Sequence, residues 1–310
     1  MIDKSLIDLK IEEHYVKKGD PSKPTYYIVR PINRLDKGLL GIYLLAAGYI
    51  YYALSKGYFP VVDVQNYKSG YLPPEKFGKE NAWEYYFEQP LRIGLEEAYN
   101  SENVILGDLD WSRKSLALIN RHLFENRNHD DLIKYLRLIN SGLLMVKPAI
   151  MKEILSMREK LFSKNDRVLG VKLRGTDYVA FKPKWHFTPP HISLAVDTVR
   201  TKLKEWNCNK IFLATEDYRF VEVFKNTFGD LCITTNKEYV DYDSKKLVGL
   251  YQFNRDNDHF LRGKEYLTEI VILSMCNSFV GVVCQGATAA LVMSNNRFEN
   301  IFAFNLGQYK

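Results

Sequence analysis

The second half of the chain alternates short apolar strands with amphipathic helices, and this alternation restricts the fold more than any other feature of the sequence. Apolar runs at 168–173, 210–215 and 278–283 predict three buried strands. A helix is predicted at 191–206, where apolar residues recur four and three positions apart along one face. Because strands that alternate with helices form a parallel sheet covered on both faces, the second half is predicted to be a Rossmann-like domain.

The first half carries the same pattern in a looser form. Four segments predict, in order, a strand, a helix and two further strands: 25–31, 39–55, 58–65 and 103–111. A chain of 310 residues is long for one core and suits two domains. We therefore expect an α/β protein of two Rossmann-like domains, 1–155 and 156–310, whose parallel sheets face a central cleft.

Composition and charge exclude several classes of protein. Hydrophobic residues make up 46% and charged residues 26% of the chain, which rules out a disordered or fibrous protein. The net charge of +6 is spread without a basic run, so no nucleic-acid partner is predicted. The four cysteines form no CxxC pair and the N-terminus has no apolar signal core, which predicts a reduced, cytoplasmic protein.

One apolar stretch, residues 38–55, approaches the length of a membrane span. Its four tyrosines and three glycines are more typical of a helix buried in protein than of one in lipid. No membrane span is therefore predicted, and a peripheral association with a membrane stays open.

Three predicted strands of the second half end in polar residues that suit a ligand: KLRGTD at 172–177, TED at 215–217 and CQGAT at 284–288. In open α/β sheets, ligands bind beyond the carboxyl ends of the strands. One such end is common, whereas three in one sheet indicate a shared crevice.

Arg174 is the residue of the first strand end that best suits a phosphate group. A guanidinium group can bind two phosphate oxygens at once, and it stays charged at any relevant pH. Gly175 would let the backbone approach a ligand closely, and Asp177 could orient the arginine. The alternative is an ordinary Arg–Asp ion pair on a surface turn.

Glu216 and Asp217 follow the second strand. A carboxylate at this place can accept hydrogen bonds from the N1–H and N2–H groups of guanine, which adenine lacks, and we assign this role to Glu216. For Asp217 the N-cap of the next helix is the favoured interpretation, and Asp217 also remains a candidate ligand contact.

Backbone N–H groups provide further candidate contacts, because the N-terminus of a helix attracts anions. Small residues open the final predicted helix: Gln285, Gly286, Ala287 and Thr288. In the first half, the loop that contains Gly38 and Gly41 has a similar character and could close on a diphosphate or a sugar. The sequence contains no Gly-x-Gly pair and no P-loop, which argues against a dehydrogenase or an NTPase.

The three strand ends, in this order, resemble the motifs of the fucosyltransferase superfamily, which includes α1,6- and α1,2-fucosyltransferases and protein O-fucosyltransferases. Residues 170–177 match the family's H-x-R-x-x-D motif, and 212–217 match its strand ending in A-T-D-D. Residues 262–294 match its helix, strand and small polar turn. The match covers about 166–296, and the first half shares only the coarse pattern.

This resemblance implies the GT-B fold and metal-independent, inverting transfer of L-fucose from GDP-β-L-fucose to an oligosaccharide or glycoconjugate acceptor. Residues 1–155 would form the acceptor-side domain, and 156–310 would bind the GDP-sugar. Arg174 takes the place of the family arginine that contacts the β-phosphate, and Glu216 takes the place of the guanine-reading acid. No cofactor is implied beyond the donor itself.

Three positions depart from the family pattern. Lys172 stands where most members have His, and Glu216 is longer than the usual Asp. Lys182 occupies the position of a proposed catalytic Glu of the α1,6 branch, so neither the general base nor the linkage follows from the resemblance. Lys172 and Arg174 are expected to neutralise the leaving diphosphate without a metal.

The general base should be a carboxylate in the first half of the chain. Candidates are Asp63 at a strand end, which we place with the catalytic residues, and Asp108 or Asp110; the sequence does not choose among them. Two other functions stay open. One is a metal-dependent glycosyltransferase that uses Asp108 and Asp110, and the other is a noncatalytic nucleotide-binding protein.

Overall fold

The computed structural model describes residues 13–31, 35–107, 137–184, 186–240 and 246–310. By its internal contacts the chain forms two compact units. The first comprises Met1–Met151 with Asn257–Lys264, and the second comprises Lys152–Asp256 with Glu265–Lys310. A short segment from the second half of the sequence therefore belongs to the first unit.

The first unit contains a four-stranded sheet. Its strands are β1 (His14–Lys18), β2 (Thr25–Val29), β3 (Phe59–Val62) and β4 (Asn103–Leu106). They lie in the order β1-β4-β2-β3, and β2 runs parallel to both β3 and β4. The sequence predicts these three parallel strands but not β1, which pairs with β4 in the antiparallel direction.

Helix α1 (Leu39–Ser55) occupies the range that the sequence predicts for it. Every residue from Leu39 to Ala53 is buried, as expected of a helix that is apolar on all sides. Within the described residues, no helix combines the length and the apolar character that crossing a membrane requires. A shorter helix, α2 (Leu95–Asn100), packs against β2 and β3.

The second unit contains a sheet of five parallel strands. These are β5 (Val168–Lys172), β6 (Lys210–Ala214), β7 (Cys232–Ile233), β8 (Ser278–Val282) and β9 (Asn300–Phe304). Their order is β7-β6-β5-β8-β9, so β5 lies between β6 and β8. All residues of β5 and β8 are buried, because helices cover both faces of such a sheet.

Further helices in the described part of the chain are α3 (Pro148–Leu161), α4 (Thr176–Phe181), α5 (Ile192–Glu205), α6 (Tyr218–Phe228), α7 (Asp258–Ser274) and α8 (Gln285–Met293). Helix α6 is followed by its C-cap Gly229, whose φ of 54° lies in the left-handed region that favours glycine. The α/β fold class with parallel sheets, predicted from the sequence, is confirmed.

The first turns of α7 pack within the first unit. The hydroxyl of Tyr86 shares its proton between the carbonyl oxygens of His259 at 3.1 Å and Phe260 at 3.0 Å. The ring of His259 donates from Nδ1 to the carbonyl of Gly70 at 2.9 Å. A Cβ atom at Gly263 would lie 2.5 Å from Cζ of Tyr86, so this packing requires a glycine inside the helix.

Candidate functional site

The carboxyl ends of β5 and β6 bring the first two predicted strand ends together. In the parallel register Lys172 lies opposite Ala214, and the N–H of Leu173 still donates to the Ala214 carbonyl at 3.2 Å. Beyond this point the two strands separate, and they continue as the turn 174–177 and the segment 215–217. Side chains from both segments meet in a cluster of buried charges.

Glu216 lies at the centre of this cluster and is only 9% exposed. Its Oε1 accepts hydrogen bonds from the N–H of Gly175 at 2.8 Å and from the hydroxyl of Thr176 at 3.3 Å. Its Oε2 lies 3.6 Å from Nζ of Lys172 and 3.6 Å from Nη1 of Arg174. Within the described part of the chain, Oε2 has no hydrogen-bond partner.

The protonation state of Glu216 follows from these neighbours. Burial opposes ionisation and would raise the pKa of this carboxyl group. The cations Arg174 and Lys172 and the N–H of Gly175 outweigh burial and lower the pKa to about 2. Glu216 is therefore a carboxylate at neutral pH.

Arg174 is held on two sides. Its Nη2 donates to both carboxylate oxygens of Asp177, at 3.0 and 3.1 Å, and its guanidinium carbon lies 4.6 Å from the ring centre of Tyr178. Burial alone would lower the pKa of Arg174, but the carboxylates of Glu216 and Asp177 raise it above its ordinary value. Nε is buried and has no hydrogen-bond partner among the described residues.

Lys172 does not point toward solvent. Its side chain is 2% exposed, and Nζ donates to the carbonyls of Leu173 at 3.1 Å and Ala214 at 3.3 Å. The direct neutralisation of a diphosphate that the sequence suggested for Lys172 does not fit this placement. The ammonium group instead lies 3.6 Å from Oε2 of Glu216, so it could influence a bound diphosphate only through that carboxylate.

Asp217 is the N-cap of α6, as its favoured interpretation predicts. Its Oδ1 accepts from the N–H of Arg219 at 3.1 Å, and its Oδ2 accepts from the N–H of Thr176 at 3.0 Å. The Arg219 side chain pairs with the same carboxylate. Because Asp217 is 0% exposed and its oxygens are occupied, a ligand contact does not fit this carboxylate.

The turn 174–177 has a strained backbone. Thr176 has a φ of 35°, in a region that non-glycine residues rarely adopt, and it is held there through its contacts with Glu216 and Asp217. The carboxylate of Asp177 also accepts from the N–H of Val248 at 3.2 Å, which attaches the loop around 248 to the site. Strain held by many contacts is typical of a functional turn.

The third predicted strand end lies on the other side of β5. Gln285, Gly286, Ala287 and Thr288 form the first turn of α8, which follows β8 and has no side-chain N-cap. A Cβ atom at Gly286 would lie 2.5 Å from the hydroxyl of Tyr266 and 3.2 Å from Cε of Lys172. All three strand ends therefore gather around Lys172.

Asp63, the candidate base in the first unit, is fully buried. Its Oδ1 accepts from the N–H groups of Gln65 at 2.8 Å and Asn66 at 3.0 Å. Its Oδ2 accepts from the hydroxyl of Tyr99 at 2.7 Å and from the amide of Asn66 at 2.9 Å. With these acceptor positions occupied, Asp63 has the surroundings of a structural carboxylate, and the role of general base does not fit this placement.

The remaining candidates of the first unit are placed as follows. Gly38 is the N-cap of α1, and Gly41 lies in its first turn rather than in a loop. Asp108 and Asp110 lie outside the described residues. Among the residues that the structure does describe, no group of three or more His, Cys, Asp or Glu side chains could hold a metal ion.

Two aromatic residues of the cluster are not predicted by the sequence. The ring of Tyr178 lies over Arg174, and the ring of Tyr266 has its centre 5.9 Å from Nζ of Lys172. Tyr178 directly follows the Arg–Asp motif and lies four positions after Arg174, and this spacing was the available signal. Tyr266 comes from a distant helix and carries no local signal.

Comparisons with known proteins give matches only among solved structures. No protein family and no curated protein matches the chain. The α1,6-fucosyltransferase NodZ, in a crystal soaked with GDP-fucose, is 17% identical, with 92% of this chain and 96% of that chain covered and a TM-score of 0.52. The selenomethionine form of the fucosyltransferase NodZ from Bradyrhizobium is 17% identical, with 93% and 97% covered and a TM-score of 0.51. The chain therefore has the fold of the GT-B fucosyltransferase NodZ, as the strand-end motifs implied.

Proposed function

We propose that this protein is a glycosyltransferase that transfers L-fucose from GDP-β-L-fucose to an oligosaccharide or glycoconjugate acceptor with inversion. The observation that carries the proposal is the buried charge cluster around Arg174, at the place where the family motif has its phosphate-binding arginine. The fold shared with NodZ, whose crystal was soaked with GDP-fucose, supports the same donor.

In the proposed reaction an acceptor oxygen attacks the anomeric carbon in line with the bond to the β-phosphate. That bond breaks, its electron pair goes to the phosphate oxygen, and the acceptor proton goes to a base. Negative charge develops on the diphosphate, where Arg174, a cation held in place by Asp177 and Tyr178, would stabilise it. The second unit would hold the donor and the first unit the acceptor.

The guanine nucleotide is expected to stabilise the folded protein in a thermal-shift assay. GDP and GDP-fucose should raise the melting temperature, whereas ADP and UDP should not. A ligand at about 100 times its Kd adds about 2.7 kcal/mol to the free energy of unfolding, which is easily detected. Equal stabilisation by UDP and GDP would contradict the proposed donor, and binding of GDP without consumption of GDP-fucose would favour the noncatalytic alternative.

Transfer is expected to survive EDTA, because an arginine rather than a metal ion would neutralise the leaving diphosphate. Release of GDP from GDP-fucose should keep its rate in the chelator, compared with an untreated sample at the same ionic strength. A collapse of activity that Mn²⁺ restores would instead assign the chemistry to the metal-dependent alternative with Asp108 and Asp110.

We also propose that the protein acts in the cytoplasm. All four cysteines are free and buried, which is typical of proteins from reducing compartments: Cys208, Cys232, Cys276 and Cys284. A glycan or glycoconjugate precursor in that compartment would be the acceptor, and a peripheral association with a membrane is compatible with such an acceptor.

A further inference from the structure

Two departures from the family motifs touch each other inside the second unit. Lys172 replaces the usual His and is the last residue of β5, while Glu216 replaces the usual Asp beyond the end of β6. Their charged atoms lie 3.6 Å apart, and their side chains are only 2% and 10% exposed. Burying an unpaired charge destabilises the folded state, so each of these two residues offsets the cost of burying the charge of the other.

Glu216 also contacts the first three residues of the turn that begins at Arg174. Oε2 lies equally far from Arg174 and Lys172, while Oε1 holds the N–H of Gly175 and the hydroxyl of Thr176. To read guanine, both oxygens would have to accept from the base along one edge. Because Oε1 already accepts two hydrogen bonds, that arrangement would require the turn to release it.

The charges of the cluster are balanced. Three carboxylates, those of Asp177, Glu216 and Asp217, face three cations, those of Lys172, Arg174 and Arg219. Without Lys172, Glu216 and Asp177 would share Arg174, and the net charge around the guanidinium would become negative. A diphosphate would then be repelled from the group that should bind it.

We propose that Glu216 and Lys172 are paired positioning residues that hold Arg174 and the turn at Gly175 in place for the diphosphate, and that Glu216 does not read the base. This inference rests on the proposed function, since it assigns these residues to the same nucleotide site. Lys172 neutralises the negative charge of Glu216, so that the positive charge of Arg174 remains available to the ligand.

The test compares GDP with inosine diphosphate, which lacks the N2 amino group of guanine. Isothermal titration of both nucleotides is applied to the native protein, Glu216→Gln, Lys172→Met and the double variant. We expect each single variant to weaken both nucleotides by the same factor, about tenfold or more, so that the ratio of their affinities stays at the native value. The double variant should bind no worse than the single variants, because the two residues act together.

Two further measurements separate positioning from loss of fold. Melting curves should show that the double variant, which leaves no unpaired charge, is more stable than either single variant. The turnover of GDP-fucose by the variants should fall more than their KM rises, since Arg174 acts mainly on the developing charge. Glu222→Gln and Lys225→Met, two exposed positions of α6, provide matched controls that should retain native binding.

The outcomes are distinguishable. If Glu216→Gln loses only the preference for GDP over inosine diphosphate while Lys172→Met keeps it, Glu216 reads the base and the inference is wrong. If the effects of the single variants simply add in the double variant, the residues do not act as a pair and the inference also fails. If the native protein binds neither nucleotide, the proposed function itself fails, and the inference falls with it.

Discussion

Replacing Arg174 by lysine is expected to slow fucosyl transfer by roughly 30- to 1,000-fold while the fold persists, which corresponds to a loss of about 2–4 kcal/mol in the transition state. Lysine keeps the positive charge but lacks the planar guanidinium group. That group binds both carboxylate oxygens of Asp177 through Nη2 and has further N–H donors that lysine cannot replace. The measurement is GDP release, with hydrolysis of GDP-fucose as the minimal reaction, together with a melting curve.

The chain offers a matched control for this substitution. Arg200 also pairs with an acid three positions away, Asp197, at 2.7 Å, but the two side chains are 49% and 70% exposed. Arg200→Lys should cost well under about 1 kcal/mol and leave activity unchanged. If Arg174→Lys behaves like Arg200→Lys, with native turnover and melting temperature, the cluster is an ordinary ion pair and the proposed function is wrong.

Replacing Gly175 by alanine is expected to lower the free energy of unfolding by about 3 kcal/mol or more. The added Cβ atom would lie 2.8 Å from Cγ of Asp217 and still closer to its carboxylate. Asp217 cannot move away without losing its bonds to Thr176 and to the first turn of α6. The variant should therefore be both unstable, as measured by urea denaturation, and unable to bind GDP.

Gly142→Ala is the control for a general effect of losing a glycine. Gly142 is exposed, and a Cβ atom there would meet nothing within 4 Å, so its replacement should leave stability nearly unchanged. Native stability in Gly175→Ala would show that the turn 174–177 can shift away from Asp217, and the close packing of the charge cluster would then not be essential to the fold.

The long buried elements could be predicted from the sequence almost to the residue. The predicted helix at 39–55 coincides with α1, and the predicted strands at 168–173, 210–215 and 278–283 each extend one residue beyond β5, β6 and β8. These segments are continuous apolar runs bounded by polar or turn residues. Where burial is the dominant driving force, the local pattern contains most of the information.

Elements that depend on distant partners escaped prediction. All five residues of β1 are exposed, and it is a strand because β4 pairs with it. Helix α7 begins at Asp258, well before the apolar run at 270–273 that marks the helix in the sequence. Its first turns are polar and include Gly263, whose helical conformation follows from packing against Tyr86.

In the candidate site, the sequence placed polar residues at the correct strand ends but could not give the direction of each side chain. Lys172 ends a strand that is buried on both faces, so periodicity does not reveal whether its ammonium group faces a ligand or Glu216. Asp63 is saturated by Asn66 and by the distant Tyr99, a contact across 36 positions that no local pattern contains.

The placement of 257–264 in the first unit has a consequence for the order of events during synthesis. Ribosomes make proteins from the N-terminus, and N-terminal domains commonly fold as they emerge. Here the 105 residues of Lys152–Asp256 are translated before residues 257–264, which hydrogen-bond to Tyr86 and Gly70 through His259. At about 5–20 residues per second, this delay lasts roughly 5 to 20 s, during which the nascent first unit carries an incomplete surface open to chaperones.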